Sequence, residues 1–431
     1  MQKKLLTLAV AGALAAPGIA LAQSSVEVYG FINMHIGQFK FKDATDRTTN
    51  PDVSKFDVMS AGSNAGVRGR ETLGGGLSAW FQIETNTGFE RSNNVAHTSG
   101  FASRNSAVGL QGGFGNVFIG QWTTPWADLD SLWSIGTVGG LGPVTAIIGR
   151  RETTGAANNF NCSNAGSGTT AAVGGTCDSV EGGAGVGHAF WRRVSNAFFY
   201  QSPVFAGGAQ AKFAWQTNQD KAAGPTVVNQ DPSLMSGSVQ WAGMGGRARI
   251  GLALDRHKDF TTPGKTDTGW AIKGGWNFGV ADIGLALENN TYKTPAGDCK
   301  AKQYGVALAV PVGQGAIRAS YAKAKDIEGT YTGAVVTPVG GAAATGSCGA
   351  APTAAAPSND NGATQWNLGY DHRFSKRTTV GFGYATIKND AGAGGNTFVW
   401  SGMSSTQSGA SLLAPIGTDI SVLFANIVHR F

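Results

Sequence analysis

The stretch Gly417-Thr-Asp-Ile-Ser-Val-Leu-Phe-Ala-Asn-Ile-Val-His-Arg-Phe431 decides the fold. It is long enough for a tilted strand to cross a bilayer and its rim, the hydrocarbon alone taking roughly 9–11 residues. It carries no helix cap and no proline, and it stops on a bare aromatic. On a soluble protein such an apolar edge invites aggregation. In a closed barrel the same strand is required, because the last strand must pair with the first. The expectation is an all-β cylinder built from this strand and the β-like segments before it.

Those segments alternate. Val26, Val28, Gly30, Ile32, Met34 and Ile36 fall on one face, and Glu27, Tyr29, Asn33 and His35 on the other. Period two over this length predicts a strand with one apolar and one mostly polar side. A second strand is expected near 58–70 after a loop over 40–57, and Leu77, Ala79, Phe81 and Ile83 alternate with Ser78, Trp80, Gln82 and Glu84 in a third. Short glycine-rich turns are expected near 71–76, 112–115, 203–208, 242–246, 279–281, 311–315 and 375–377. Longer polar loops are expected near 40–57, 90–102, 125–187, 219–232, 259–267, 294–301, 327–362 and 389–416. Seven turns and eight loops separate sixteen strands. Short turns on one side and long loops on the other predict an antiparallel transmembrane barrel with its short side periplasmic. Aromatics including Phe199, Trp215, Trp270, Tyr292, Tyr304 and Tyr321 recur near strand ends, as interfacial girdles require.

Composition agrees. Glycine is 65 of 431 residues, and charged residues are 14%, against roughly 25% in ordinary soluble domains. Residues 1–22 read as a secretory signal, with Lys3 and Lys4, an apolar stretch from Leu5 to Ala16, and Ala20-Leu21-Ala22 as the cleavage site. Beyond it no run of 18 apolar residues predicts a membrane helix. Residues 23–431 are expected to be one barrel. A net charge of +6, scattered along the chain, gives no nucleic-acid footprint. Gly264-Lys265-Thr266 has the tail of a phosphate-binding loop, but Asp259 stands where its first glycine is needed. Neither G-x-S-x-G nor H-E-x-x-H occurs, and the six histidines show no ligand spacing. No catalytic residue, metal site or cofactor is expected.

Several stretches together resemble the Gram-negative general porins, in their betaproteobacterial trimeric sixteen-stranded branch. They are Ser25-Val-Glu-Val-Tyr-Gly30, Ala65-Gly-Val-Arg-Gly-Arg-Glu-Thr-Leu-Gly-Gly-Gly-Leu77, Val108-Gly-Leu-Gln-Gly-Gly-Phe-Gly-Asn-Val117, Arg193-Val-Ser-Asn-Ala-Phe-Phe-Tyr-Gln-Ser-Pro203, Ser375-Lys-Arg-Thr-Thr379 and His429-Arg-Phe431. The resemblance keeps its order along the whole chain after the signal. It departs at Gly120-Gln121-Trp122, where the family usually has Gly-Arg-Gln, and at Val428, where an Arg often precedes the terminal His. It implies a homotrimer in the outer membrane among lipid and lipopolysaccharide, passing small hydrophilic solutes and ions. It also implies that the third loop, 125–187, folds inward, and that Phe431 belongs to the signal read by the assembly machinery.

Such a loop would bring Asp128, Asp130, Arg150, Arg151 and Glu152 into the lumen. Opposed charges across a narrow constriction create a transverse field that sets ion preference. Strand parity puts Arg68, Arg70, Arg193, Lys212, Arg247, Arg249, Lys273, Arg318 and Arg373 inward, against Glu27, Glu84, Asp255, Glu288 and Asp371. Arg68, Arg193, Lys212 and Arg318 are the expected basic wall of the constriction; Arg70 and Arg247 lie beside short turns, at the rim. Nine bases against five acids predict mild anion selectivity. A substrate-selective pore narrowed by the long third loop, and a non-conducting structural or adhesin barrel, are the alternatives.

Cys162, Cys177, Cys299 and Cys348 sit in small-residue surroundings outside the alternating segments, and an even count in an exported chain predicts disulfides. The expected pairs are Cys162 with Cys177 and Cys299 with Cys348. Closing a loop of about 15 residues stabilises it by roughly 3 kcal/mol in the chain-entropy model. Peptide mapping without reductant should recover both pairs, and the reduced barrel should stay folded because its ladder closes without them. Four free thiols in the mature protein would contradict the pairing.

Overall fold

In the computed structural model the described residues are 25–48, 50–87, 101–149, 190–216, 233–258, 264–293, 297–334, 343–347, 362–390 and 417–431. The expected signal at 1–22 lies outside them, as do Cys162, Cys177 and Cys348. Cys299 is fully buried and disulfide-bonded.

The strands are β1 (Ser25–Lys42), β2 (Val53–Ser60, continuing as Asn64–Gly74), β3 (Leu77–Asn86), β4 (Ser106–Gly112), β5 (Gly115–Thr123), β6 (Arg193–Gln201), β7 (Ala209–Gln216) and β8 (Ser233–Gly243). They continue as β9 (Ala248–Lys258), β10 (Thr266–Asn277), β11 (Asp282–Lys293), β12 (Asp298–Val312), β13 (Gly315–Ala324), β14 (Ala363–Arg373), β15 (Thr378–Asn389) and β16 (Asp419–Arg430). A small hairpin, Thr330–Ala334 with Ala343–Ser347, stands in the loop between β13 and β14. Each barrel strand pairs antiparallel with its neighbours in sequence, and β16 returns to β1 from Phe31↔Arg430 to Lys42↔Asp419. Sixteen strands therefore close into one cylinder.

Closure is completed by Phe431, whose N–H donates to the Gly30 carbonyl (3.1 Å) and whose carbonyl accepts from the Gly30 N–H (3.3 Å). Its ring fills the space that a side chain on Gly30 would occupy. The tight turn after β2 runs through Gly74, Gly75 and Gly76, all at positive φ (+90°, +58° and +78°), a region that side chains with a Cβ avoid.

Two boundaries differ from the sequence expectation. The first loop is shorter than 40–57, because β1 runs on to Lys42 and β2 begins at Val53. An extra residue in β2 hides that continuity. Ser60 pairs with Met34 and Asn64 with Phe31, so Ala61-Gly62-Ser63 oppose only two residues of β1. This bulge shifts the inward face from odd positions (Lys55, Asp57, Met59) to even ones (Gly66, Arg68) and breaks the simple period. Phe199 and Tyr292 are not girdle residues: both are buried and share the inward parity of their strands.

The outward side chains are large and apolar, and Leu252, Leu254, Ile272, Leu285, Leu287, Val306 and Leu308 are exposed there. Inward positions on the same strands are small: Gly251, Ala253, Ala271, Gly284, Ala286, Gly305 and Ala307. The main core therefore lies inside the cylinder. Phe39, Met59, Ile387, Ile420, Val422 and Phe424 point inward and pack with Val138, Leu141, Ile147 and Ile148 of the third loop.

Deleting Phe431, or replacing it with Asp, removes the closing hydrogen bonds or places a charge at the membrane interface. The expected result is a several-fold loss of folded, heat-modifiable protein in the outer membrane, with unchanged conductance in the molecules that do insert. Normal amounts of the folded truncated chain would contradict this.

Candidate functional site

The third loop leaves β5 at Thr124, whose hydroxyl caps a single helical turn, α1 (Pro125–Asp128), by accepting from the Ala127 N–H (3.4 Å). Proline at the first helical position starts the turn without losing a bonded N–H. A 3₁₀ turn, Leu129–Leu132, follows directly. The chain then crosses the interior, touching the barrel wall at successive points.

At β7 to β11 the contacts are ionic. Lys212 Nζ lies 3.0 Å from Asp128 Oδ2, and the Thr123 hydroxyl donates to Asp128 Oδ1 (3.1 Å). Burial outweighs both partners and holds the Asp128 carboxyl above its ordinary range. Lys273, fully buried, has Asp130 Oδ1 at 2.6 Å and Glu288 Oε1 at 2.8 Å. The remaining oxygens are also used. Trp191 Nε1 donates to Asp130 Oδ2 (2.6 Å), Trp126 Nε1 to Glu288 Oε1 (3.2 Å), and the Gly149 N–H to Glu288 Oε2 (2.5 Å). A buried charge of this kind persists only when paired and hydrogen-bonded.

Further round the wall the loop is held by its backbone. Arg249 Nε donates to the Leu132 carbonyl (2.6 Å), and Arg318 Nη1 donates to the Ile135 carbonyl. Asn367 Nδ2 donates to Gly136 O (2.7 Å), and Asn33 Nδ2 to Gly139 O (2.8 Å), which also contacts His35 Nε2 at 2.6 Å. Trp133 sits in a slot that exists because Gly284 and Gly305 have no side chains; a Cβ on either would strike it.

The expected constriction residues therefore divide. Asp128 meets Lys212, as opposed charges on loop and wall should. Asp130 does not line the pore: it is buried against Lys273. Arg318 holds a loop carbonyl and pairs with Asp371 of its own wall (2.6 Å). Arg193 is buried and donates to Asn105 Oδ1 (2.7 Å). Arg68 pairs with Glu27 (2.8 Å) toward the short-turn end, and among the described residues it makes no contact with the loop. Arg150, Arg151 and Glu152 lie outside the described residues. Of the loop's other wall partners, Glu288, Asn33 and His35 were legible as inward polar residues but not as loop contacts, and Asn367 was missed altogether. The run of inward glycines and alanines from β9 to β12 was the signal that something must fill that side.

A closed cylinder of sixteen antiparallel strands, with short turns at one end, long loops at the other and one loop folded into the lumen, defines a transmembrane β-barrel channel. The chain belongs to the Gram-negative porin family, whose sequence profile matches residues 7–392. Outer membrane porin protein 32 of Delftia acidovorans is 28% identical over 404 residues, covering 90% of each chain. The anion-selective porin from Comamonas acidovorans shares the fold at 23% identity and a TM-score of 0.60, over 95% of this chain and 100% of that one. OmpT of Vibrio cholerae in its trimer form is 14% identical with a TM-score of 0.50, over 95% and 99% of the two chains. The protein is thus an outer-membrane channel and not an enzyme.

Replacing Lys273 with Met leaves Asp130 and Glu288 as adjoining buried carboxylates, which costs about 3–5 kcal/mol. The loop should detach from β10 and β11. Single-channel recordings should show a larger and noisier conductance, and the thermal midpoint should fall. A trace indistinguishable from the unmodified channel would show that the loop does not depend on this anchor.

Proposed function

We propose that the barrel is a passive pore for small hydrophilic solutes and ions with a mild preference for anions, set mainly at its periplasmic mouth. The observation that carries this is the pairing of the lumen charges. Lys212, Arg249, Lys273, Arg318, Arg68 and Arg104 each lie within ion-pair distance of a carboxylate. Their fields largely cancel at the range of a passing ion. Arg70, Arg247 and Arg373 have no acidic partner among the described residues, and all three lie beside short turns. A ring of unpaired positive charge at one mouth raises the local concentration of anions. The name of the Comamonas relative supports the same preference.

Assembly as a homotrimer is supported by the trimer form of the Vibrio relative. Contact with lipopolysaccharide is supported by Lys300 and Lys323, which point outward toward the long-loop end of β12 and β13 beyond Tyr304 and Tyr321, while Lys302 between them is paired with Glu328 (2.9 Å). Basic side chains at that height meet the phosphates of the outer leaflet.

The test is the reversal potential of purified protein in a planar bilayer under a potassium chloride gradient. Anion preference should appear at about 0.1 M salt, where the Debye length is ~10 Å, and fade near 1 M, where it is ~3 Å. Replacing Arg70, Arg247 and Arg373 together with Gln should bring the chloride-to-potassium permeability ratio to about one, whereas neutralising the paired Glu27 and Arg68 together should leave it in place. Acidification should strengthen anion preference before surface carboxylates titrate, because Asp128 protonates at a higher pH than they do and releases the Lys212 charge. Strong cation preference in the unmodified channel would overturn the assignment, and absence of current would overturn the pore itself.

A further inference from the structure

The wall formed by β3 to β6 carries inward aromatics that simple ion conduction does not need. The strand register places Arg70, Trp80, Gly109, Phe118 and Phe199 side by side in one row across five strands. Phe81, Val108 and Ile119, which alternate with them, are exposed on the lipid side, so the row faces the lumen. Gly109 has no side chain, and Trp80 and Phe118 close over it with ring centroids 5.3 Å apart. Phe199 lies parallel to Phe118 at 4.8 Å. Trp122 stands edge-on, 5.8 Å from Trp80 and 5.3 Å from Phe118. Phe118 and Phe199 are buried beneath the shelf, while Trp80 and Trp122 stay half-buried with surface open to the interior.

Polar groups frame this surface on one side. The Trp80 indole N–H donates to Asn116 Oδ1 (2.7 Å), which fixes the plane of the ring. Arg70, directly across the strand pair from Trp80, is exposed and donates to the Ser78 hydroxyl (3.0 Å). It has no carboxylate partner among the described residues. Directly opposed cross-strand side chains have Cβ atoms about 4.5–5.5 Å apart. The lumen thus presents an aromatic face and an uncompensated guanidinium within the length of one small molecule.

We propose that this shelf binds small aromatic carboxylates, the ring lying against Trp80 and Trp122 and the carboxylate on Arg70. Aromatic rings associate at centroid distances of about 4.5–7 Å, and a guanidinium pairs with a carboxylate through parallel hydrogen bonds. A neutral sugar would leave the Arg70 charge unmatched and would find no hydrogen-bonding group on Phe118. An aliphatic acid would use Arg70 but gain less from the rings. The inference rests on the pore reading above and narrows it to a solute class that the channel holds on its way through.

The test is current block in planar bilayers carrying chloride, with benzoate compared against cyclohexanecarboxylate, which has the same charge and similar size but no π face. Benzoate should halve the current at a concentration about fivefold or more below that of cyclohexanecarboxylate, in line with the value of an aromatic pair. The ratio between the two acids is read within each variant, so changes in basal conductance cancel. Trp80→Leu should bring that ratio close to one, and Trp122→Leu should lower it. Arg70→Gln should weaken block by both acids. If Trp80→Leu does not insert, Trp122→Leu and Arg70→Gln decide the question. Equal block by the two acids in the unmodified channel, or a ratio untouched by losing either tryptophan, overturns the inference while leaving the pore reading intact. Absence of chloride current overturns both.

Discussion

Closure of the hydrogen-bonded ladder is the constraint from which the rest of the structure follows. Within a bilayer no water is available to satisfy an open strand edge, so the last strand must meet the first. Here β1 pairs with β16 over twelve register positions, and Phe431 and Gly30 complete the seam. Once the cylinder is closed, every strand has a lipid side and a lumen side. The alternation along each strand then assigns its side chains to two solvents.

A sixteen-stranded cylinder encloses more space than short wall side chains can fill. The third loop takes up part of it, and the wall is built to receive the loop. From β9 to β12 the inward residues shrink to glycine and alanine, and Trp133, Leu129 and Leu132 occupy the room this makes. Toward β15, β16 and β1 the wall becomes apolar, and Val138, Leu141, Ile147 and Ile148 pack against it. Between these regions the buried Lys273 joins an acid of the loop to an acid of the wall. Burying three charges is favourable only because nearly every polar atom among them is bonded, and such a site is intolerant of losing one member.

The same pairing reshapes the electrostatics of the lumen. A count of inward charges treats each as acting alone, whereas a base with a carboxylate near 3 Å presents little net field to a passing ion. Most of the basic wall is spent in this way on holding the loop or bridging neighbouring strands. Among the described residues, the basic side chains of the wall expected inward that have no acidic partner, Arg70, Arg247 and Arg373, lie beside the short turns. Among the described residues the wall from β3 to β6 has few contacts with the loop beyond its ends, and there the channel shows aromatic rings to its contents.

The alternation of 26–36 and 77–84, the glycine turns and the apolar run to Phe431 were enough to determine the barrel and the side on which each loop emerges, while the expected count of sixteen strands is settled only by the closed ladder. Period two is a local property, written in consecutive residues, and closure follows from it. The bulge at Ala61-Gly62-Ser63 was not legible, because one extra residue looks like the end of a strand until its partner is known. The roles of Asp130, Arg68 and Arg318 were not legible either. Parity says that a side chain points inward, but not which of the other inward charges stands opposite it. That depends on the height of each residue in the cylinder and on the path of the loop across it. Only the tertiary structure brings Asp130 to Lys273, across 143 positions of sequence, and sets Arg70 beside Trp80 at the edge of the aromatic wall.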